Sequence, residues 1–199
     1  MKQIVGILLA AGSSRRFGAD KRLHPLPDGT PMAIASARNL AVVCARTIVV
    51  IRPDDTVLAS LLAEEGLEIV VCAEAQQGMG HSLSSGVAST ADAARWLVAL
   101  ADMPYIQSAS YHAVLHAMLG GAALARPIHN GRPGHPVAFA AVHLDKLLAL
   151  TGDQGGKAIL EADPAALVLC PVDDPGVLKD VDVPVQIEAL GSPAGALSG

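Results

Sequence analysis

Seven short aliphatic runs, most of them followed by a stretch of helical length, constrain this chain more than any other feature. The runs fall at 3–9, 47–51, 67–72, 96–101, 122–126, 136–140 and 167–171. Helices are predicted at 32–44, 56–65, 82–90, 108–119, 144–150 and 156–163. Asp54 and Asp55 stand where the second helix needs an N-cap. Strand–helix alternation at this spacing implies βαβ units and a three-layer α/β fold around a mostly parallel, Rossmann-like sheet. The composition agrees. The chain is 51% hydrophobic but only 3% aromatic, so Ala, Val, Leu and Ile fill it. Strands covered on both faces read as such unbroken aliphatic runs.

The same numbers exclude several classes. A membrane-spanning helix needs about 20 consecutive apolar residues, and a run such as 4–11 has only eight. Only 17% of residues are charged, which leaves ample apolar surface for a core and argues against disorder. A net charge of -5 with few aromatics offers no stacking platform or basic groove for nucleic acid. Cys44, Cys72 and Cys170 are odd in number, far apart and set in apolar stretches, so they are expected as buried thiols. Residues 1–11 imitate a short signal peptide, but the glycine- and arginine-rich segment that follows suits a folded site, so a cytoplasmic protein is expected. The length of 199 residues suits one domain over 1–190. Its first part, to about 105, would bind nucleotide, the second an acceptor, and 191–199 would be a flexible tail.

The first strand runs directly into Leu9-Ala10-Ala11-Gly12-Ser13-Ser14-Arg15-Arg16-Phe17-Gly18-Ala19-Asp20-Lys21. In an open α/β sheet this is the carboxyl edge, where ligands bind. Small residues let the backbone come close to a ligand, and successive N–H groups cradle oxyanions. Arg15, Arg16, Lys21 and Arg22 gather four cations within eight positions of an acidic chain, as a polyphosphate would require. Neither GxxxxGK[ST] nor GxGxxG is present. Without GxGxxG, a Rossmann dehydrogenase is disfavoured.

Leu100-Ala101-Asp102-Met103-Pro104 places a carboxylate at the end of a very apolar strand, where it needs a partner such as Mg²⁺. Gln77-Gly78-Met79-Gly80-His81-Ser82 makes a second oxyanion-friendly loop before a helix. Gly131-Arg132-Pro133-Gly134-His135-Pro136 has strong turn chemistry. His112 and His116 share a helix face at metal-like spacing, but no HExxH accompanies them and an exposed face is expected.

Together these segments resemble the MobA-like nucleotidyltransferases that activate the molybdenum cofactor. Leu9-Ala10-Ala11-Gly12 with Ser14, Arg16, Gly18 and Lys21 matches L-A-[AG]-G-x-S-x-R-M-G-x-x-K, with Phe17 for methionine. The Ala-Ala-Gly form is similar to the CTP-using branch, the molybdenum cofactor cytidylyltransferases. The resemblance covers residue 4 to about 190. It implies transfer of CMP from CTP to the phosphate of molybdopterin cofactor, with release of pyrophosphate and dependence on Mg²⁺. A molybdenum hydroxylase apoenzyme is the implied recipient. It implies catalytic roles for Arg16 and Lys21, and nucleotide binding by Leu9, Ala10, Ala11, Gly12 and Ser82. Asp102 and Asp182 would hold the metal, with Asp180 in reserve, and Gly134, His135 and Pro136 would meet the acceptor. Two departures stand out: Lys157 replaces the arginine of G-D-x-G-[AG]-R, and Val183 replaces the threonine of D-[IV]-D-T-P. Three alternatives stay open: GTP as donor, a sugar or polyol phosphate as acceptor, and a non-catalytic carrier of the cofactor.

Overall fold

A computed structural model describes residues 4–12 and 20–181. Arg16 and Asp182 therefore lie outside the described residues, as does the tail expected at 191–199.

The chain alternates β1 (Ile4–Leu9), α1 (Met32–Ala41), β2 (Arg46–Ile51), α2 (Thr56–Glu64), β3 (Glu68–Val71) and α3 (Met79–Ala88). It continues through β4 (Arg95–Leu100), α4 (Ser108–Leu119), β5 (Leu124–His129), β6 (Arg132–Pro133) and β7 (Val137–Ala140). It closes with α5 (Leu144–Leu148), α6 (Lys157–Ala162) and β8 (Leu167–Pro171). The strands form one sheet in the order β3-β2-β1-β4-β7-β5-β6, with β8 also paired to β5. The β3-β2-β1-β4 half is parallel throughout, as is β5 with β8. Strand β7 enters antiparallel to both β4 and β5, so β5 and β8 keep the direction of β4. The carboxyl ends of β1, β2, β4, β5 and β8 consequently share one edge.

Side chains alternate across β1. Val5, Ile7 and Leu9 join a core under α3, α5 and α6. Leu8 and Ala10 join another under α1, α2 and α4. Helices thus cover both faces, which is why the strands carry no polar alternation. Gly6 is needed for this packing: a Cβ there would lie 2.9 Å from Leu40 Cγ of α1. Trp96 is fully buried, and its indole N–H is satisfied by Thr90 Oγ1 at 3.0 Å. Cys44, Cys72 and Cys170 are free and buried. Among the described residues no helix is long and apolar enough to cross a membrane.

The element boundaries differ from the sequence reading where turns intervene. Helix α3 starts at Met79 rather than 82, because Gly78 takes φ +131° and ends the preceding turn. Strand β5 extends to His129, because Asn130 and Gly131, at φ +49° and +75°, fold a hairpin onto β6. Asp55 occupies the N-cap position of α2 but makes no side-chain cap bond, since two arginines hold its carboxylate.

Candidate active site

Strand β1 lies between β2 and β4, and the segment after the glycine-rich loop spans all three carboxyl ends. A 3-10 turn at Lys21–Leu23, capped by the Asp20 side chain, sends successive side chains in different directions. Lys21 turns towards β4: its Nζ donates to Asp102 Oδ2 at 2.7 Å and to the Val181 carbonyl at 3.3 Å. Arg22 turns towards β2 and is buried. Its guanidinium donates to both Asp55 oxygens, to both Asp20 oxygens and to the Ala10 carbonyl. Contrary to the expectation from its place among four cations, Arg22 therefore does not face a triphosphate. A buried guanidinium must match its charge, and Asp20 and Asp55 do so.

Asp102 stands just beyond β4, where Ala101 N bonds Leu9 O at 3.1 Å. From α1, Ser36 Oγ donates to Ala101 O at 3.0 Å and fixes the backbone beside the carboxylate. Val181 N donates to Asp102 O at 2.9 Å. The chain thus reaches Asp182 one residue after a contact with Asp102, although Asp182 itself is not described. Among the described residues no three His, Cys, Asp or Glu converge as a metal cage. One or two carboxylates are nevertheless what Mg²⁺ takes when substrate phosphates complete its shell. Asp102, a quarter exposed, fits that use.

The Leu9–Gly12 stretch divides. Leu9 and Ala10 are committed to the sheet, through Ala101 N to Leu9 O and Ala10 N to Val50 O, and Ala10 O is taken by Arg22. Ala11 and Gly12 lie beyond the ladder, and a side chain added at Gly12 would meet nothing within 4 Å among the described residues. Close approach of a ligand to the backbone is thus sterically open there. Ser82 lies buried in the first turn of α3, on the other face of the sheet. The loop before it packs on the 151–156 loop: Gly80 N donates to Gly152 O at 2.7 Å, and a Cβ at Gly80 would sit 2.6 Å from Thr151 O. Lys157 points away to Glu161, 3.6 Å distant, and is 74% exposed.

Gly134, His135 and Pro136 lie between β6 and β7, with a cis bond between His135 and Pro136. His135 N donates to Val177 O at 2.9 Å, and Gly134 is so close to that carbonyl that no side chain fits. The imidazole Nδ1 is buried and without a partner among the described residues. Burial, then the Arg126 charge, push His135 down to about 4 despite the opposing pull of Asp102. A neutral ring is the result at pH 7. His112 and His116 are exposed on α4, as expected, and His112 Nδ1 lies 2.9 Å from Ser108 O.

Sequence reasoning missed the segment after β8. Asp174 is 2% exposed and accepts from Gln107 N, Ser110 Oγ and Gly176 N. Gly176 presses on the Tyr105 carbonyl, Val177 meets the His135 turn, and Val181 meets Asp102 and Lys21. This segment ties the β4 loop, the His135 turn and the Lys21 site together. Asp173-Asp174-Pro175 was its available signal, an acidic cap before proline.

The chain matches the MobA-like NTP transferase domain over residues 6–177. It is 27% identical to purine catabolism protein PucB of Bacillus subtilis, over 94% of this chain and 95% of that protein. It is 26% identical to nicotine blue oxidoreductase of Paenarthrobacter nicotinovorans, over 94% and 96%. The crystal structure of Rv0371c from Mycobacterium tuberculosis superposes with a TM-score of 0.83 at 24% identity, over 95% and 97%. A structure of that mycobacterial protein in complex with manganese gives 0.71 at 22% identity, over 85% and 88%.

Proposed function

Because the chain belongs to the MobA-like NTP transferase family, we propose that it transfers CMP from CTP to the phosphate of molybdopterin cofactor and releases pyrophosphate. The observation that carries this reading is the contact between Lys21 and Asp102, which joins two motifs 81 positions apart at one sheet edge. A terminal phosphate of the acceptor attacks the α-phosphorus of the nucleotide, and the bond to the pyrophosphate oxygen breaks. The attacking group is already anionic, so no strong base is required. Positioning and charge neutralisation supply the rate.

Lys21 neutralises charge developing on the pyrophosphate, with Arg16 assigned the same role. The Ala11 and Gly12 N–H groups hold the nucleotide, with Ser82 assigned to the base. Asp102, with Asp182, would hold Mg²⁺, which when bound offsets phosphate charge. Lys21 donates to the same carboxylate and would add its own positive charge beside that metal. The Gly134-His135-Pro136 turn meets the acceptor, its neutral imidazole being suited to hydrogen bonding rather than to ion pairing. Three buried free thiols suit a reducing, cytoplasmic setting. A molybdenum hydroxylase apoenzyme is the proposed recipient of product.

Nicotine blue oxidoreductase favours one rival, hydride transfer on this fold. Purified protein with Mg²⁺ and molybdopterin cofactor should release pyrophosphate with CTP in clear preference to GTP and ATP. Preference for GTP, or for a sugar or polyol phosphate acceptor, would move the assignment within the nucleotidyltransferases. Cofactor binding without pyrophosphate release would make the protein a carrier. Oxidation of NADH or NADPH without nucleotidyl transfer would sink the reading.

A further inference from the structure

We infer that Arg22 is a positioning residue, a clip that closes the base of the glycine-rich loop and thereby sets nucleotide affinity. The inference rests on the nucleotidyltransferase reading above. One guanidinium reaches both stems of the loop. Arg22 Nη1 donates to Ala10 O, before it, while Nε and Nη2 donate to Asp20 Oδ1 and Oδ2, after it, at 2.8 and 2.6 Å. Asp20 Oδ1 also accepts from Arg22 N at 3.1 Å, which fixes the turn carrying Lys21. The clip is anchored to the body of the fold. Both oxygens of buried Asp55 accept from Arg22, and Asp55 is held in turn by Arg52 N at 2.8 Å and Arg52 Nη2 at 2.8 Å.

The nine residues from 11 to 19 separate the two stems. Holding the stems together fixes Ala10, which leads into Ala11 and Gly12, and Asp20, which leads into Lys21, before nucleotide binds. The clip also orients Lys21, because its neighbour cannot turn without leaving Asp55. Lysine at position 22 would not replace it, since a single ammonium cannot span Ala10, Asp20 and Asp55.

Asp20 is the point at which to test the clip, because it touches the loop side and leaves the Arg22–Asp55 pair in place. Asp20→Ala should raise the nucleotide KM roughly tenfold, with the acceptor KM unchanged and kcat within about threefold. Asp20→Asn keeps one acceptor oxygen and should fall between the two. Arg22→Met should raise the nucleotide KM further. Hydrogen exchange of amides 20–24 should quicken in Asp20→Ala. A folded Asp20→Ala protein whose nucleotide KM stays within twofold of wild type overturns the inference, as does an equal rise in both KM values. If wild-type protein binds none of CTP, GTP or ATP, the nucleotidyltransferase reading fails. Exchange then decides the clip alone, with unchanged rates in Asp20→Ala counting against it.

Discussion

Two aspartates flank the first strand at the same sheet edge, and each faces a cation from one short turn. Asp55, beyond β2, is closed: its side chain is 4% exposed, and Arg22 and Arg52 use both of its oxygens. Asp102, beyond β4, is open: its side chain is 25% exposed, and Lys21 is its side-chain partner among the described residues. The closed pair is saturated and has no lone pair to spare for a ligand. The open pair is held by one flexible ammonium that can slide aside. Geometry of this kind, rather than charge, separates a structural carboxylate from one available to chemistry.

The comparison breaks first on Asp102. Asp102→Ala and Lys21→Ala should each cut turnover on the order of 10²–10³-fold, the usual loss for one electrostatic contact to developing charge. Stability should change by less than about 1 kcal/mol, because a partly exposed ion pair contributes little. Steady-state pyrophosphate release and urea unfolding check both halves. Near-normal turnover in either variant would remove the site from this edge.

Asp55 should behave in the opposite sense. Asp55→Ala leaves Arg22 and Arg52 without their shared counter-charge, at a cost of about 3 kcal/mol in urea unfolding. The pH dependence sharpens the contrast. Burial by itself would raise the Asp55 carboxyl, but hydrogen bonds from Arg22 and then Arg52 overcome it and hold the group at about 2. As pH falls below the unfolded value near 4, the unfolded chain takes up a proton that the folded chain refuses. Stability on the order of 2 kcal/mol is therefore present above pH 4 and lost as pH falls towards 2. The gap between wild type and Asp55→Asn should narrow across that window, and a constant gap would contradict the assignment.

The contrast also shows what was legible in the sequence. Lys21 and Asp102 could be found because each breaks a local rule: a cation follows a glycine-rich loop, and a carboxylate ends an apolar strand. Arg22 was misread, because adjacent cations look alike in a sequence and the partner that buries this one is 33 positions away. Most strands were legible as aliphatic runs, but their direction was not. Val137–Ala140 is as apolar as its parallel neighbours, and only the short turn before it makes it antiparallel. Asp174 was hidden for a similar reason. Two of its three partners come from the β4 loop and α4, the third from its own turn, and nothing local marks an Asp-Asp-Pro as buried.

The smallest expected effect falls on Lys157, where family resemblance and geometry part. The matching position carries arginine in the resembled family, and lysine keeps that charge but loses the bidentate fork. Here it starts α6, is 74% exposed and lies opposite Glu161 one turn on. A solvated i,i+4 pair contributes little to stability and leaves its ammonium far better hydrated than a ligand contact would. Lys157→Ala should therefore keep turnover within about twofold of wild type, with an unchanged unfolding midpoint. A loss of tenfold or more would mean that the 151–156 loop, packed against Gly78 and Gly80, swings this lysine onto the nucleotide. The open half of the comparison would then include a second cation. In that event Lys157→Arg should do better than wild type, because its planar fork matches a phosphate where an ammonium offers only a point charge.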